Sequence, residues 1–425
     1  MKKLACMVLV VTLFLAMTGY GGAEGGNEVT LTYWGQDYNQ NVLDSCFDKF
    51  TATYPNITVE RETLPLDEIL RKCILAFSSG TGAPDVATVA TYNMGQFIST
   101  GCLVDITDRL APYVDQLDQA SLINDIKDGR IYGIPLDIGP CGLFVNIKIF
   151  EDAGYDTTPE ALSETLSTWE KYVQVAKDIK EKTGCYMLGY SSEMPDPQFF
   201  EVLIWQQNRW FSDPEGNLTL NSPESIRAFE LIDTLIKEEL NYNVQGWTQE
   251  WYSGFNDYKV ATIPTAAWMG GFMNAFICPD TAGDWRVIPL PAWEEGGVRT
   301  SNAGGSAWIM TNQVADEDAA WALMSFYTLD VDNVLAQYEA MDQFPALLSS
   351  YGGSFFDEPM DFFGGQAVRR VFADLVPDIP SSVVYSKDYS MYSETIVAAL
   401  QSVILSGVDI TQALANAEQE IDMRR

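Results

Sequence analysis

The side chains that could carry chemistry in this chain are mostly carboxylates and aromatic rings. Its 425 residues include 59 Asp and Glu, 52 aromatic residues (11 Trp, 20 Tyr and 21 Phe) and no histidine. Without imidazole the chain has no Ser-His-Asp or Cys-His catalytic group and no His-containing zinc site. The commonest general base at neutral pH is also missing. A hydrolase that needs only two carboxylates, such as a glycosidase, remains open.

The cysteines and the net charge exclude further classes. Cys6 lies in the N-terminal apolar run, and no CxxC pair occurs among the remaining six, which argues against zinc-ribbon and thioredoxin-like sites. We therefore expect no metal and no cofactor. The net charge of −34 makes nucleic acids and anionic lipids poor partners, although it could suit a cationic ligand.

Residues 1–20 have the pattern of a signal peptide for export. Lys2 and Lys3 precede an apolar run over 4–17, which is too short to span a membrane, and small and turn residues follow it. A Gly-rich tether over 21–27 comes next. We predict an exported protein that is extracellular or held at the cell envelope.

The end of this segment resembles the processing site of a bacterial lipoprotein, but the acceptor cysteine is absent. Residues 15–19 read Leu-Ala-Met-Thr-Gly, and Tyr20 stands where the lipid-bearing cysteine would be. One hypothesis is that the parent protein is lipid-anchored. The alternative is cleavage near 21–23, which would release a free protein.

The first part of the remaining chain alternates strands and helices. VTLTYWG predicts a strand that ends at Gly35, and NVLDSCFDKFTATYP a helix closed by Pro55. ITVERETL and PDVATVA predict two more strands, separated by an amphipathic helix from Leu66 to Ser79. This alternation is typical of a mostly parallel sheet with helices on both faces.

Later segments carry clear start and stop signals. GRIYGIPLDIGPCGLFVN is too rich in Gly and Pro for a helix and suits a crossing between lobes. Ser167 and Glu170 predict a capping box for a helix that ends at Gly184, and Ser222 with Pro223 predicts another helix start. KVATIP and RVIPL predict further strands.

Several of these strings together resemble a known family. The chain is similar to the extracellular solute-binding proteins of ABC importers, in particular the sugar-binding family 1, which includes the maltose-binding proteins. The resemblance covers nearly the whole chain after the signal segment. It rests on the order and spacing of LTYWG, FTATYPNITVE, GTGAPDV, GCLVDITDRL, GRIYGIPLDIGPCGLFVN, STWEKYVQVAK, KVATIPTAAW, WRVIPLP, NAGGSAWIMT, DEDAAWALMSFYTL and SGVDITQALANAEQEI.

The resemblance implies a two-lobed α/β fold of the periplasmic-binding-protein type II class. Its three crossings between lobes would lie near 136–140, 292–301 and 344–351, with lobe 1 over 28–137 and 299–345 and lobe 2 over 138–298 and 346–425. The implied function is non-enzymatic: a carbohydrate is captured between the lobes and delivered to the permease subunits in the membrane. The protein would act as a monomer.

A neutral sugar needs flat aromatic surfaces for its C–H faces and polar groups for its hydroxyls. By the resemblance, the loop after the first strand supplies Trp34, Gln36, Asp37 and Tyr38, although Trp34 could equally pack beneath that loop. Tyr92 follows the third strand in the same way. From the first crossing and the later segments we expect contacts from Asp137, Gln198, Phe199, Trp268, Gly304, Gly305, Trp308, Tyr389 and Tyr392.

Of these residues, Trp268 matches a ring-stacking tryptophan of the maltose-binding proteins, whereas Trp308 could belong to the core or the cleft. Two departures from that subfamily put maltose itself in doubt. Gly139 stands where the subfamily has an acid, and the C-terminal stacking tryptophan is missing.

Two alternatives stay open. The same fold could bind a polyamine or another cationic solute, as the acidic charge and the aromatic residues would allow. A secreted glycosidase that uses only carboxylates is the other, although no acid pair stands out among the 59 acids.

Overall fold

A computed structural model describes residues 28–36, 40–213 and 215–425. The predicted signal peptide and tether, together with Asp37 and Tyr38, lie outside the described residues. The strands are Val29–Gln36 (β1), Ile57–Leu64 (β2), Val86–Ala90 (β3), Ile126–Lys127 (β4), Arg130–Ile131 (β5), Gly133–Asn146 (β6), Leu188–Gly189 (β7), Asn241–Tyr242 (β8), Thr262–Ala266 (β9), Trp285–Pro289 (β10) and Asn302–Met310 (β11).

The helices follow the strands in the alternation that the sequence predicts. They are Gln40–Thr53 (α1), Leu66–Ser79 (α2), Met94–Ser99 (α3), Thr107–Leu110 (α4), Gln119–Leu122 (α5), Ile147–Asp152 (α6), Pro159–Thr165 (α7), Trp169–Thr183 (α8), Pro197–Trp205 (α9), Pro223–Lys237 (α10), Gln249–Asn256 (α11), Met269–Phe272 (α12), Glu317–Thr328 (α13), Val331–Met341 (α14), Val368–Leu375 (α15), Tyr389–Ser406 (α16) and Ile410–Arg424 (α17). A π-helical turn, Met273–Ile277, continues α12.

A seven-stranded sheet organises the molecule in the order β10-β6-β11-β3-β1-β2, with β9 also paired to β6. The expected parallel arrangement holds for β2-β1-β3. It is wrong for the rest of the sheet, because β11, β6, β9 and β10 all pair antiparallel. The sequence pattern of buried strands does not encode direction, so this difference emerges only from the tertiary contacts.

The long strand β6 belongs to both halves of the molecule. Its first part pairs with β11, and its second part, from Cys141 onward, pairs with β9 and β10. All fourteen residues of β6 are buried. The Gly- and Pro-rich segment that predicts a crossing is thus a continuous strand that links two separately packed regions.

Helices cover both faces of the first half of the sheet, as predicted. Val86 of β3 packs with α1 and α13 on one face, whereas Ala87 and Val89 pack with α2 and α3 on the other. A separate large core surrounds the second part of β6, with Phe200, Trp205 and Tyr172 among its fully buried side chains. Because helices cover both faces of the sheet here, all five residues of β3 are buried.

Most local signals hold, and one shifts by a residue. Ser222 accepts a hydrogen bond from the backbone N–H of Ser225 and caps α10, with Pro223 at the first helical position. The cap of α8 is Thr168 rather than the predicted Ser167, since Thr168 accepts the bond from the Lys171 N–H. Gly184 ends that helix in the left-handed conformation.

Cysteines and membrane propensity add two observations. The six cysteines of the described chain are free thiols, four of them buried, so they act as small apolar side chains. Among the helices within the described ranges, none combines the length and apolar character needed to cross a bilayer.

Candidate ligand-binding cleft

A large cavity of about 930 Å³ lies between the two halves of the sheet. One wall comes from the ends of β1 and β3 and from the end of α14, through Gln36, Tyr92 and Asp342. The opposite wall comes from the segment after β9, through Trp268 and Phe272. The cavity therefore has the position expected for a ligand site between two domains. We call it the main cleft.

The floor of the main cleft is the glycine turn of β11. Gly304 and Gly305 have φ values of +97° and +107°, and the pairing of β11 with β6 shifts register here. A Cβ atom on Gly305 would lie 2.9 Å from the carbonyl oxygen of Asp137. Only glycine fits this backbone, and it leaves the main chain open to close approach by a ligand.

Trp268 stands beside that turn and is fixed in place. Its Nε1–H donates a hydrogen bond to the carbonyl oxygen of Ala303 at 2.9 Å, while its ring stays partly exposed. An indole held by one such bond offers a rigid apolar face to a sugar ring.

Three more aromatic residues extend this face. The Trp247 ring lies 6.1 Å from that of Trp268, with ring planes 23° apart. The Phe272 ring is 5.8 Å from that of Trp268, and the Phe276 ring is 5.4 Å from that of Phe272. Phe276 belongs to the π-helical turn, a distortion that is frequent at functional sites. Together these four residues form the aromatic wall of the main cleft.

Asp137 supplies a carboxylate to the main cleft from β6. It is 9% exposed and accepts a hydrogen bond from the Ser306 hydroxyl. Burial raises the pKa of Asp137 to about 7, while the bond from Ser306 acts in the opposite direction. The group can therefore act as a donor or an acceptor to a ligand near neutral pH.

A second cavity of about 510 Å³ adjoins the main cleft, and both share Tyr92 and Gly304. Its walls include the rings of Tyr385 and Tyr389, and we call it the tyrosine pocket. Glu201, from α9, reaches this pocket and is 7% exposed. Burial raises the pKa of Glu201 to about 8, although the Tyr389 hydroxyl donates to both of its carboxylate oxygens, at 3.1 and 3.0 Å.

A third, small cavity of about 70 Å³ lies behind the aromatic wall, with Gln198 and Phe199 on its lining. Gln198 also borders the tyrosine pocket. Phe199 is mostly core, because its ring packs against Trp169 and Tyr190. No Lys or Arg lines any of these three cavities in the described chain.

Eight of the fourteen sequence-predicted residues line the two larger cavities, and Phe199 lines only the small one. Gln36, Tyr92, Asp137, Trp268, Gly304 and Gly305 meet in the main cleft, and Gln198 and Tyr389 meet in the tyrosine pocket. Asp37 and Tyr38 lie outside the described residues. The predictions for three residues need correction: Trp34, Trp308 and Tyr392.

These three aromatic side chains pack away from the cavities. Trp34 packs on the face of the sheet that carries α2, beneath the Lys72 ammonium at 4.3 Å. Trp308 is 2% exposed and stacks between Tyr33 and Tyr327.

Tyr392 lies on α16, one helical turn beyond Tyr389. Its ring is fully buried and packs against Phe211. Trp308 and Tyr392 are therefore core residues, and the half-buried Trp34 lies on the helix-covered face of the sheet outside the three cavities.

Sequence analysis missed Trp247, Glu201 and Asp342. Trp247 lies in an irregular segment with φ +63°, and Glu201 sits in the apolar helix FFEVLIW, where a lone acid was the available signal. Asp342 ends α14 in the left-handed conformation, and its side chain lies close to Gly271 of α12 at the border of the main cleft. None of the three lies at the end of a sheet strand.

The departure at Gly139 has a structural cause. A Cβ at this position would run into the backbone of Ala303, and the Gly139 N–H donates to the Asn302 side chain at 2.9 Å. No acidic side chain can stand here without moving β11.

The fold and the cleft together define the class of two-lobed solute-binding proteins. A crystal structure described as an extracellular solute-binding protein of family 1 matches with a TM-score of 0.78 and 18% identity, covering 92% of this chain and 98% of that one. The binding protein of Bifidobacterium animalis subsp. lactis in complex with β-1,6-galactobiose matches with a TM-score of 0.73 and 24% identity, covering 93% and 97%.

The family follows from sequence comparison. The family described as bacterial extracellular solute-binding protein matches residues 45–363, so this chain belongs to it. An arabinooligosaccharide-binding protein of Halalkalibacterium halodurans is 30% identical over 84% of this chain and 80% of its own length. A lactose-binding protein of Rhizobium radiobacter is 24% identical over 99% and 97%. The chain is a binding protein and not an enzyme, which removes the glycosidase alternative.

Proposed function

We propose that this protein captures a carbohydrate in the main cleft and tyrosine pocket and delivers it to the membrane permease of an ABC importer. The observation that carries the proposal is the aromatic wall, which faces the buried carboxylate of Asp137 and the open backbone at Gly304 and Gly305. Aromatic faces suit the apolar side of a sugar ring, and carboxylates and backbone groups suit its hydroxyls. Relatives named for arabinooligosaccharides and lactose support the same ligand class.

The size of the site favours an oligosaccharide of more than one ring. The tyrosine pocket continues the main cleft through Tyr92 and Gly304, so one ligand can reach both cavities. Since neither cavity is lined by Lys or Arg in the described chain, we expect sugars that carry carboxylate, sulfate or phosphate groups to be rejected.

Capture would use closure of two lobes over 28–137 with 299–345, and over 138–298 with 346–425. A ligand that contacts both lobes stabilises the closed arrangement by its differential affinity for it. The contact between Asp342 and Gly271, one from each proposed lobe, supports such a closure.

The test is a ligand screen by thermal shift and calorimetry on the whole mature chain. The panel contains arabino-oligosaccharides, lactose, β-1,6-galactobiose, maltose and spermidine. A sugar at about 100 times its Kd should add about 2.7 kcal/mol to the free energy of unfolding. If no sugar raises the melting temperature while spermidine does, the ligand class is wrong.

The cationic alternative differs from the sugar proposal in its response to salt. The buried acid of the tyrosine pocket is the observation that favours it. Binding of a charged ligand weakens as salt rises, whereas binding of a neutral sugar does not. Repeating the titrations at low and high salt separates the two.

Lipid anchoring at the envelope is a separate proposal, based on the lipoprotein-like segment that ends at Tyr20. Labelling with palmitate in a bacterial host tests it on this chain and on Tyr20→Cys. Labelling of the cysteine variant alone supports a lipid-anchored parent, and no labelling of either contradicts it.

A further inference from the structure

The tyrosine pocket combines three aromatic rings that lie close together. The ring of Tyr389 is 5.2 Å from that of Tyr92 and 5.1 Å from that of Tyr385, and the latter two are 6.4 Å apart. The Tyr385–Tyr389 pair is edge-to-face, with planes 86° apart. The three rings pack on one another and all border one cavity, where an exposed ring face can attract an ammonium group.

The same pocket contains a buried carboxylate that has no cationic partner. No ion pair involves Glu201 in the part of the chain that the structure describes, and its side-chain hydrogen bonds there come from the Tyr389 hydroxyl. A buried charge without a partner is unfavourable, so the group takes up a proton or a cation. Burial and the nearby Asp196 raise the pKa of Glu201 to about 8, which means that the empty pocket holds the proton at neutral pH.

The groups around Glu201 do not supply that cation. Asp196 caps α9 at the pocket edge, and Glu394 borders the pocket from α16, where Arg424 pairs with it from outside at 3.0 Å. The remaining titratable neighbours are the phenols of the three tyrosines, whose pKa values burial raises where a shift is resolved. The pocket is therefore acidic and aromatic on every side that carries a titratable group.

We infer that the tyrosine pocket is a subsite for a protonated amine, carried by an amino-sugar unit of the carbohydrate ligand. The inference rests on the proposed function and names the sugar class for one part of the site. The ammonium lies against the parts of the Tyr92 and Tyr389 rings that border the cavity and pairs with the Glu201 carboxylate. A hydroxyl lacks the charge, and an N-acetyl group is both neutral and larger, so the pocket selects the free amine.

Binding by this route has a proton balance that can be measured. The amine arrives as R–NH₃⁺, Glu201 changes from COOH to COO⁻, and its proton leaves to the solvent. Calorimetric enthalpies at pH 7 should therefore differ between buffers of different ionisation enthalpy, in proportion to the proton released. A neutral sugar that bonds to the protonated acid releases none.

The experiment is calorimetry on the whole mature chain with three matched probe sets. D-glucosamine, D-galactosamine and the β-1,4 glucosamine disaccharide are compared with D-glucose, D-galactose and cellobiose, and with the N-acetylated sugars. At least one free amine should bind tenfold or more tightly than both of its counterparts, with proton release. Spermidine separates an amino sugar from a free polyamine: it should bind more weakly than the best amino sugar.

Two substitutions test whether Glu201 causes the preference for free amines. Glu201→Gln should remove the tenfold preference and the proton release, and its melting temperature should be unchanged or higher because a buried acid is lost. The control Glu420→Gln, at an exposed carboxylate that pairs with Arg424 and borders none of the three cavities, should keep the preference.

Equal binding of amines and neutral parents, no binding of any amine, or a preference that survives in Glu201→Gln would each overturn the inference. The proposed function then still stands if neutral sugars bind. The proposed function itself fails if spermidine binds and no sugar does.

Discussion

The rings of Trp247 and Trp268 lie 6.1 Å apart in nearly parallel planes, and both border the main cleft. They come from different segments: Trp247 from an irregular segment before α11, and Trp268 from the turn between β9 and α12. Because the two indoles form one surface, a sugar ring stacked there would contact residues that are distant in sequence.

Trp268→Ala should therefore reduce sugar affinity strongly and stability only moderately. Truncation of a central aromatic contact typically costs about 2 kcal/mol or more of binding free energy, roughly a 30-fold increase in Kd. The matched control is Trp308→Ala, which removes a 2% exposed core ring and should lose about 3–5 kcal/mol of unfolding free energy. Calorimetry and denaturant unfolding on both variants check this. Unchanged affinity in folded Trp268→Ala would place its ring outside the site.

Trp247→Gly tests whether this residue is retained for binding. Trp247 is 45% exposed and has a left-handed backbone that glycine adopts more easily. We expect weaker sugar binding with unfolding free energy within about 1 kcal/mol of wild type. Tyr258→Gly is the control, since Tyr258 also has positive φ but borders none of the three cavities. Tyr258→Gly should bind sugar with unchanged affinity. If Tyr258→Gly loses binding and Trp247→Gly does not, the role of Trp247 is contradicted.

Gly271→Ala tests the contact between the proposed lobes. A Cβ at Gly271 would run into the side chain of Asp342, which must then move away. We expect a lower sugar affinity with little change in melting temperature of the empty protein, because the contact matters in the closed arrangement. Gly297→Ala is a matched control away from the cavities, with 3.0 Å to the nearest backbone oxygen. If Gly271→Ala binds sugar as well as wild type, the contact plays no part in closure.

Stability of the empty protein should fall as pH rises from about 4 to about 8. The folded pKa values of Asp137 and Glu201 are about 7 and 8, above their ordinary values of 3.8 and 4.5. In this window the folded state keeps protons that the unfolded state has lost, so raising the pH favours unfolding.

The measurement is melting temperature against pH for wild type, Asp137→Asn and Glu201→Gln. Each variant should have a shallower decline between pH 4 and 8. Asp213→Asn serves as control, since hydrogen bonds from Asn217 lower the pKa of this half-buried acid. Its effect on stability is expected below pH 4. Identical slopes in wild type and both buried-acid variants would contradict the assignment.

Local elements were predictable where the sequence carries its own boundaries. The helix Leu66–Ser79 is bounded by Pro65 and by Gly80, which adopts the left-handed C-cap conformation. The same logic located β2 and the start of α10. Two neighbouring hydroxyls, Ser167 and Thr168, compete for one cap, which is why that boundary moved by one residue.

Gln36 and Tyr92 were predictable because each follows the course of a strand to its end, which lies at the cleft. Trp308 was ambiguous because the pairing of β11 with β6 shifts register between Ser306 and Ala307. The alternation of side chains along the strand therefore no longer indicates on which face of the sheet the Trp308 ring lies. Glu201 and Tyr389 are 188 positions apart and meet only in the folded chain. Such pairings depend on packing that no local pattern records.

The most direct measurement is a crystal structure of the protein grown with the tightest-binding sugar of the screen. We predict density for the sugar between the two lobes, with one ring against Trp268 and polar contacts from Asp137 and the backbone at Gly304. A sugar bound elsewhere, or one that contacts neither the aromatic wall nor Asp137, would contradict capture in this cleft.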